Sequence, residues 1–505
     1  CGGISIVNQL IKSKFNGNIY YYADSLNNPW GNKTKEELED ILTGISKWFE
    51  SKKLDYIITG CNTTYSIFKD KLNIIFNQDE VFNILTNTNS SYSKSYYSVL
   101  CTENSYQYSL FSNFLNSKNI QEVACPNLAS LIEKNQLNDS LTCISNYIKD
   151  CIYKNIILGS RFLTTGDTSF ISNTIIDGGG DGCPLMVYGN INDSCRVTGF
   201  TIQNGDGKYA DPDENGTFYT YGGGIYCKGS SPVLKDLIVT NNTGDEGGGG
   251  GIFCYEASPT ITGCLITNNT TDDVGGGLYA RNSSNVTIIN TDFTSNEADL
   301  GAGCYLRSES APSMANVEFT SNIAANSGGA IVLKDNADAV MNQVTMVGNI
   351  AEGLGGGLYI NNADPSLDYV LAFGNVSSAG GGVYIRNNSD PIFNHTTVAY
   401  NTSGFEGSGV YLRDNSNLTV TNSIFWGNGD EQIYFRDSGD DVSLDISYSL
   451  VEDGQSGVDV NNNGFLDWGL GMLQSEPYFC NGEGGLFTLR ENSPCINAGD
   501  DGQFI

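Results

Sequence analysis

Three places in the sequence hold residue types at spacings that could do chemistry. The first is Cys61 in "TGCNTTYS", which closes the short apolar run of "LDYIITG". A thiol at a strand end that opens into a helix, beside the donors Asn62 and Thr63, has its thiolate favoured by the helix dipole and nearby hydrogen bonds. The same spacing fits a half-buried cysteine with no role. The second is "DVNNNGFLDWG", where Asp459, Asn461, Asn463, Gly464, Phe465 and Asp467 stand at positions 1, 3, 5, 6, 7 and 9 of an EF-hand-type loop, Phe465 through its carbonyl. Alternating oxygens around a glycine turn suit a hard cation, so calcium is the cofactor this stretch points to. Position 12 is Leu470 rather than Glu, and an Asn-rich turn is the plain alternative. The third is the insertion "GDGKYADPDENGTFYTYGG", with Asp211, Asp213 and Glu214, which is either a binding loop or a solvated one.

The elements that position these residues differ along the chain. Up to residue 159, "NIYYYAD" and "LDYIITG" read as strands and "KTKEELEDILTGISKWFESKK" has apolar residues at helical spacing. Alternating strands and helices imply a parallel sheet, with ligands at the carboxyl ends of its strands. From Ser160 onward a different pattern takes over. A Gly-rich, apolar, aromatic motif anchored at Ile225, Ile252, Leu278, Cys304, Ile331, Leu358, Val383 and Val410 returns every 25 to 27 residues. An asparagine keeps the same beat from Asn242 and Asn269 to Asn401 and Asn428, always with an apolar residue three positions earlier. Units rich in Gly, Asn, Thr and Ser are poor helix formers. They fit a parallel β-solenoid whose coils stack to bury a shared core, with the asparagines as an inward ladder.

Charge divides the chain at the same place. The sequence has 26 basic and 57 acidic residues, but residues 1–159 are near neutral, with 14 Lys, no Arg and 15 carboxylates. The acidic remainder argues against nucleic acid, which needs clustered cations. No apolar run is long enough for a transmembrane segment. Cys227 and Cys254 occupy one position in adjacent repeats, within reach of a disulfide, and Cys480 and Cys495 could staple a C-terminal hairpin, the alternative being buried thiols.

Four motifs of the first part, "YYADSLNNPWGNKTKEEL", "TGCNTTYS", "VLCTENSY" and "EVACPNLASLIE", stand in the order and approximate spacing of glutamate racemases, which residues 1–159 therefore resemble. The resemblance implies a cofactor-independent racemase that takes glutamate as its partner, interconverting the L and D forms for peptidoglycan with two cysteines on opposite faces of the α-carbon. It implies Cys61 as the first catalytic cysteine and Glu133 as the carboxylate that assists the second, although Glu133 alone reads as a solvated helix residue. Trp30, Gly31, Asn62, Thr63, Thr102 and Ser105 would line the substrate pocket. The family's second cysteine lies in a "GCTH" turn where this chain has "LGSRF", with Ser160 at its place, and the only histidine is His395. The family's opening Asp-Ser-Gly turn is also missing. A hydroxyl is a far weaker acid than a thiol of pKa about 8.5, so the expectation is an incomplete α/β domain that does not racemise.

Residues 160–430 resemble right-handed parallel β-helix proteins of the pectate-lyase-like superfamily, particularly repetitive bacterial surface proteins, with 431–505 as a β-rich cap carrying the calcium loop. The expected fold class is therefore mixed: an incomplete α/β racemase-like region, then a right-handed parallel β-helix. Lyases and hydrolases on that fold need carboxylates or a Lys or Arg base clustered on one outer face; Asp335, Asp390 and Arg386 read as turn residues, so binding of polysaccharide or cell-surface glycan is favoured over catalysis. The first half suits cytoplasm and the second the cell exterior, a conflict of localisation that favours a chimeric or fragmentary chain. A natural fusion with an inert module, an active racemase with a passive tail, and a β-helix lyase or hydrolase are the alternatives.

Overall fold

The computed structural model describes residues 34–50, 57–59, 81–83, 97–101, 120–124, 157–160, 162–189, 195–429, 431–436, 441–461 and 464–500. Two compact units divide between Ile157 and Leu158.

In the first unit, helix Lys35–Glu50 starts where local chemistry says it should. Glu37 N–H donates to Thr34 Oγ1 (3.2 Å) and Thr34 N–H donates to Glu37 Oε2 (2.7 Å), a reciprocal capping box. Leu38 and Leu42, one turn apart, are buried. Strand Ile57–Thr59 pairs in parallel with Val81–Asn83, and Tyr97–Cys101 with Ile120–Ala124. An amphipathic helix and parallel strand pairs are the elements expected of an α/β region.

The second unit is a parallel β-solenoid, and one coil stands for the rest. Leu278–Arg281 forms its front strand, Thr287–Thr294 its back strand and Glu297–Leu300 its side strand. The next coil repeats them in register, Leu278 opposite Cys304, Thr287 opposite Ser313 and Glu297 opposite Ile323. The back strand bends at Asn290, whose φ of 48° lies in the left-handed region that Asn tolerates. Stacking joins the front strands into an eleven-stranded sheet and the side strands into a seven-stranded one. Coils continue in register past residue 430: Ile433–Phe435 pairs with Val410–Leu412, and Gly464–Trp468 with Val442–Ile446. At the other end, strand Ile157–Gly159 belongs to the back sheet.

The repeat dictates what is inside. The anchors and the apolar residues three before each Asn are buried, and Phe293 and Phe319 stack with centroids 4.8 Å apart. Burying each such side chain stabilises by about 1.5–3 kcal/mol. The asparagines form the expected inward ladder. Asn296 Nδ2 donates to Asn322 Oδ1 (3.0 Å) and to the Ile266 carbonyl (2.9 Å), and the pattern recurs in neighbouring coils until Gln432 Oε1 receives Asn428 Nδ2 (2.8 Å). The glycine runs have a steric reason: a Cβ on Gly223 would stand 2.1 Å from the Gly250 carbonyl oxygen of the next coil.

Candidate functional site

Alternation along the front strands decides what faces outward. In Ile225–Lys228 the first and third residues, Ile225 and Cys227, enter the core, while the second and fourth belong to the outer face. The second positions stack rings from coil to coil: Tyr226 to Phe253 (5.4 Å), Phe253 to Tyr279 (5.3 Å), Tyr279 to Tyr305 (5.5 Å) and, further on, Tyr384 to Tyr411 (4.7 Å). These rings are buried, so they are a floor for what lies beside them rather than open platforms.

Beside them, the fourth position carries Lys228, Arg281, Arg307, Lys334 and Arg386, and Arg413 and Arg436 continue the file past their strand ends. Seven of the twelve cationic residues that follow residue 159 thus share one outer stripe of an otherwise acidic solenoid. Arg281 is only 8% exposed and lies 5.1 Å from the Tyr255 ring centroid, a cation–π contact that fixes its plane. Its two terminal nitrogens reach Asp213 of the insertion (3.1 and 2.8 Å), and Lys228 meets Glu214 (3.4 Å). Arg386 and Arg413 share Asp414. Arg307 and Lys334, opposite one another in neighbouring strands, have no carboxylate at ion-pair distance among the described residues. At the turn before strand Leu278–Arg281, burial first and Asp299 next hold the Asp273 carboxyl above the usual range.

Sequence reasoning missed this stripe. Arg386 ends a strand rather than lying in a turn, because Val383–Arg386 is the front strand of its coil. The readable signal was the residue three after each anchor; Tyr255 and Asn361 interrupt it and hide the run.

The racemase-like residues Cys61, Glu133, Trp30, Gly31, Asn62, Thr63, Thr102 and Ser105 lie outside the described residues. Ser160 is described, 7% exposed and part of the first coil: its N–H donates to the Thr198 carbonyl (3.1 Å) and its Oγ accepts from Phe162 N–H (3.2 Å).

Of the cation-loop residues, Asp459, Asn461, Phe465 and Asp467 are described. Asp459 ends a strand paired with Ile433–Phe435, and Asn461 donates its side-chain amide to the Phe435 carbonyl. Phe465 and Asp467 lie in the strand Gly464–Trp468, a back strand paired in register with Val442–Ile446. Asn463 is outside the described residues. Among the described residues no three His, Cys, Asp or Glu stand together as a metal would require. The expected disulfides are also unformed: Cys227 and Cys254 lie in register as buried thiols, and Cys480 and Cys495 are free. No helix among the described residues is long and apolar enough to cross a membrane.

The fold and the outer stripe together define a β-solenoid protein with a cationic face. The family described as "Right handed beta helix region" matches residues 186–372 and 368–468, over half of the sequence, and the chain belongs to that family. A separate likeness covers about a third of the chain. Glutamate racemase of Prochlorococcus marinus (strain NATL2A) is 30% identical over 162 residues, 31% of this chain and 60% of that protein. "Glutamate racemase 3" of Caldanaerobacter subterraneus subsp. tengcongensis is 28% identical over 138 residues, 26% of this chain and 50% of that protein. The chain thus spans three fifths or less of these two relatives. Among solved structures, glutamate racemase from Francisella tularensis in complex with D-glutamate is similar at 21% identity with a TM-score of 0.27, covering 31% of this chain and 63% of that one. The chain therefore joins a glutamate racemase-like region to a right-handed β-helix domain.

Proposed function

We propose that the β-helix is a binding scaffold for acidic polysaccharide outside the cell and that the racemase-like region does not racemise glutamate. The observation that carries the first part is the cation stripe, above all Arg307 and Lys334, which lie opposite one another beside the buried Tyr305 and Val332 with no carboxylate at ion-pair distance among the described residues. A rigid row of cations at the spacing of parallel strands, about 4.8 Å, suits a ligand with regularly placed carboxylates, which a polymer of acidic sugars has. Retardation of the chain in gels containing polygalacturonate, but not in gels containing uncharged amylose, tests it. Arg307→Gln with Lys334→Gln removes the retardation if the stripe is the site; retention identical to the natural chain sinks the reading.

What supports the second part is the place of Ser160. The resemblance puts the second catalytic cysteine there, and the residue is instead a buried hydroxyl of the solenoid's first coil. Losing one of two proton-transfer groups costs orders of magnitude in rate. The test is an enzyme-coupled assay for D-glutamate formed from L-glutamate by the purified chain; measurable turnover refutes it. The charge division at residue 159 and the different compartments expected of the two parts support reading the chain as a chimera, and a break in read coverage across codons 150 to 170 of the source DNA tests that.

A further inference from the structure

The insertion that breaks the repeat is a hairpin, Lys208–Ala210 paired antiparallel with Tyr219–Tyr221, and its strands join no solenoid sheet. Its tip is ordered by its own chemistry, since Asp211 accepts the backbone N–H groups of Asn215 and Gly216. Glycines flank it, Gly207 and Gly222 both at positive φ. From this arm Asp213 meets Arg281 with both oxygens, and Tyr221 lays its ring 4.5 Å from Phe253 with its hydroxyl 3.4 Å from Arg281. Four rings, Tyr221, Phe253, Tyr255 and Tyr279, surround the guanidinium with centroids at 5.1 to 5.9 Å. Arg281 is buried, but the Asp213 side chain is 30% exposed, so the carboxylate enters this cage from the solvent side.

A planar guanidinium held in an aromatic cage and offering two parallel N–H groups is a carboxylate receptor whichever molecule supplies the carboxylate. Arg281 belongs to the same file as Arg307 and Lys334, which carry no such cover. We infer that Arg281 and its ring cage are a carboxylate-binding subsite of the front face, filled in the free protein by Asp213 as a stand-in for the carboxylate of an acidic sugar. The tip of the arm, residues 211–218, lifts when the glycan arrives, while Tyr221 stays in the cage against Phe253; one carboxylate replaces another, so the buried guanidinium keeps a carboxylate partner, whose loss would be costly. This inference rests on the glycan-binding reading of the stripe.

The probe is hexagalacturonate, with affinity read by calorimetry and the arm by amide hydrogen exchange. Asp213→Asn, which weakens the internal competitor, binds about tenfold tighter than the natural chain, because the competent fraction no longer limits apparent affinity. Arg281→Gln in the same background removes the gain. In the natural chain the probe speeds amide exchange across the tip, residues 211–218. Binding of the probe with arm exchange unchanged and with Asp213→Asn no tighter overturns the inference and leaves the stripe reading standing, which depends on Arg307 and Lys334. Binding by neither chain removes both. Should Asp213→Asn fail to fold, exchange in the natural chain decides alone.

Discussion

At the scale of single residues the asparagine ladder concentrates risk. Asn322 receives the backbone N–H and side-chain amide of Asn296 and donates to the Phe293 carbonyl and to Asn349. Asn322→Leu leaves several buried groups unpaired, each costing about 1–3 kcal/mol, so the β-helix loses about 3 kcal/mol or more, read as a lower urea midpoint. An exposed Asn outside the ladder and without a left-handed backbone, such as Asn492, changed in the same way moves it little. Thiols set a pH limit of their own. Burial pushes the Cys264 thiol up to about 12 from an ordinary value of 9.0. The folded state keeps the proton where the unfolded chain releases it, so this stabilisation is complete below about pH 9 and is lost as pH rises toward about 12. Melting temperature therefore falls on that alkaline limb, and Cys264→Ala makes the fall shallower; an identical limb in the variant removes the thiol as its cause.

At the scale of elements the coil is the unit of stability, because each repeat contacts only its neighbours. Removing residues 323–349 deletes one full turn of the beat and joins Asn322 to Ile350, the residue that follows the next ladder asparagine. The shortened chain folds, with a modest loss of melting temperature and an unchanged β signature by circular dichroism; removing half that length misplaces every later inward residue and abolishes cooperative unfolding. The calcium expectation belongs to this scale too. "DVNNNGFLDWG" matches a loop by residue type, yet the same letters from Gly464 continue the back sheet, where Leu466 turns inward beside Leu444. Sheet register and a bound cation compete for the same backbone, and melting curves with and without chelator read which of them holds it: a midpoint lowered by chelator assigns the loop a cation, an unchanged one assigns it to the sheet. That contrast marks what the sequence could disclose. The Gly-rich anchors and the asparagines announce themselves because nearly every coil repeats them and each answers to the core. The cation stripe answers to nothing inside; it is one residue per coil, broken by Tyr255 and Asn361, and only stacking brings Arg281, Arg307 and Lys334 together.

At the scale of the whole molecule two fields compete. The chain carries a net charge of −31, with nearly all of the excess in the β-helix part, and this field repels any polyanion at long range. The stripe attracts at short range, through cations held within contact distance of a bound carboxylate. Screening separates them, since the Debye length is about 30 Å at 0.01 M salt and about 8 Å at 0.15 M. In dilute salt the global repulsion reaches the approaching glycan and weakens binding. Near physiological salt that repulsion is screened while contacts with Arg307 and Lys334 persist. At about 1 M, where the length is about 3 Å, the contacts fail in turn. Affinity for polygalacturonate therefore passes through a maximum at intermediate ionic strength, and titrations from 0.01 to 1 M salt trace it. Arg307→Gln with Lys334→Gln flattens the curve by removing the local attraction. An affinity that falls steadily from the lowest salt upward would mean that the ligand never feels the acidic body, which a stripe embedded in this solenoid does not allow.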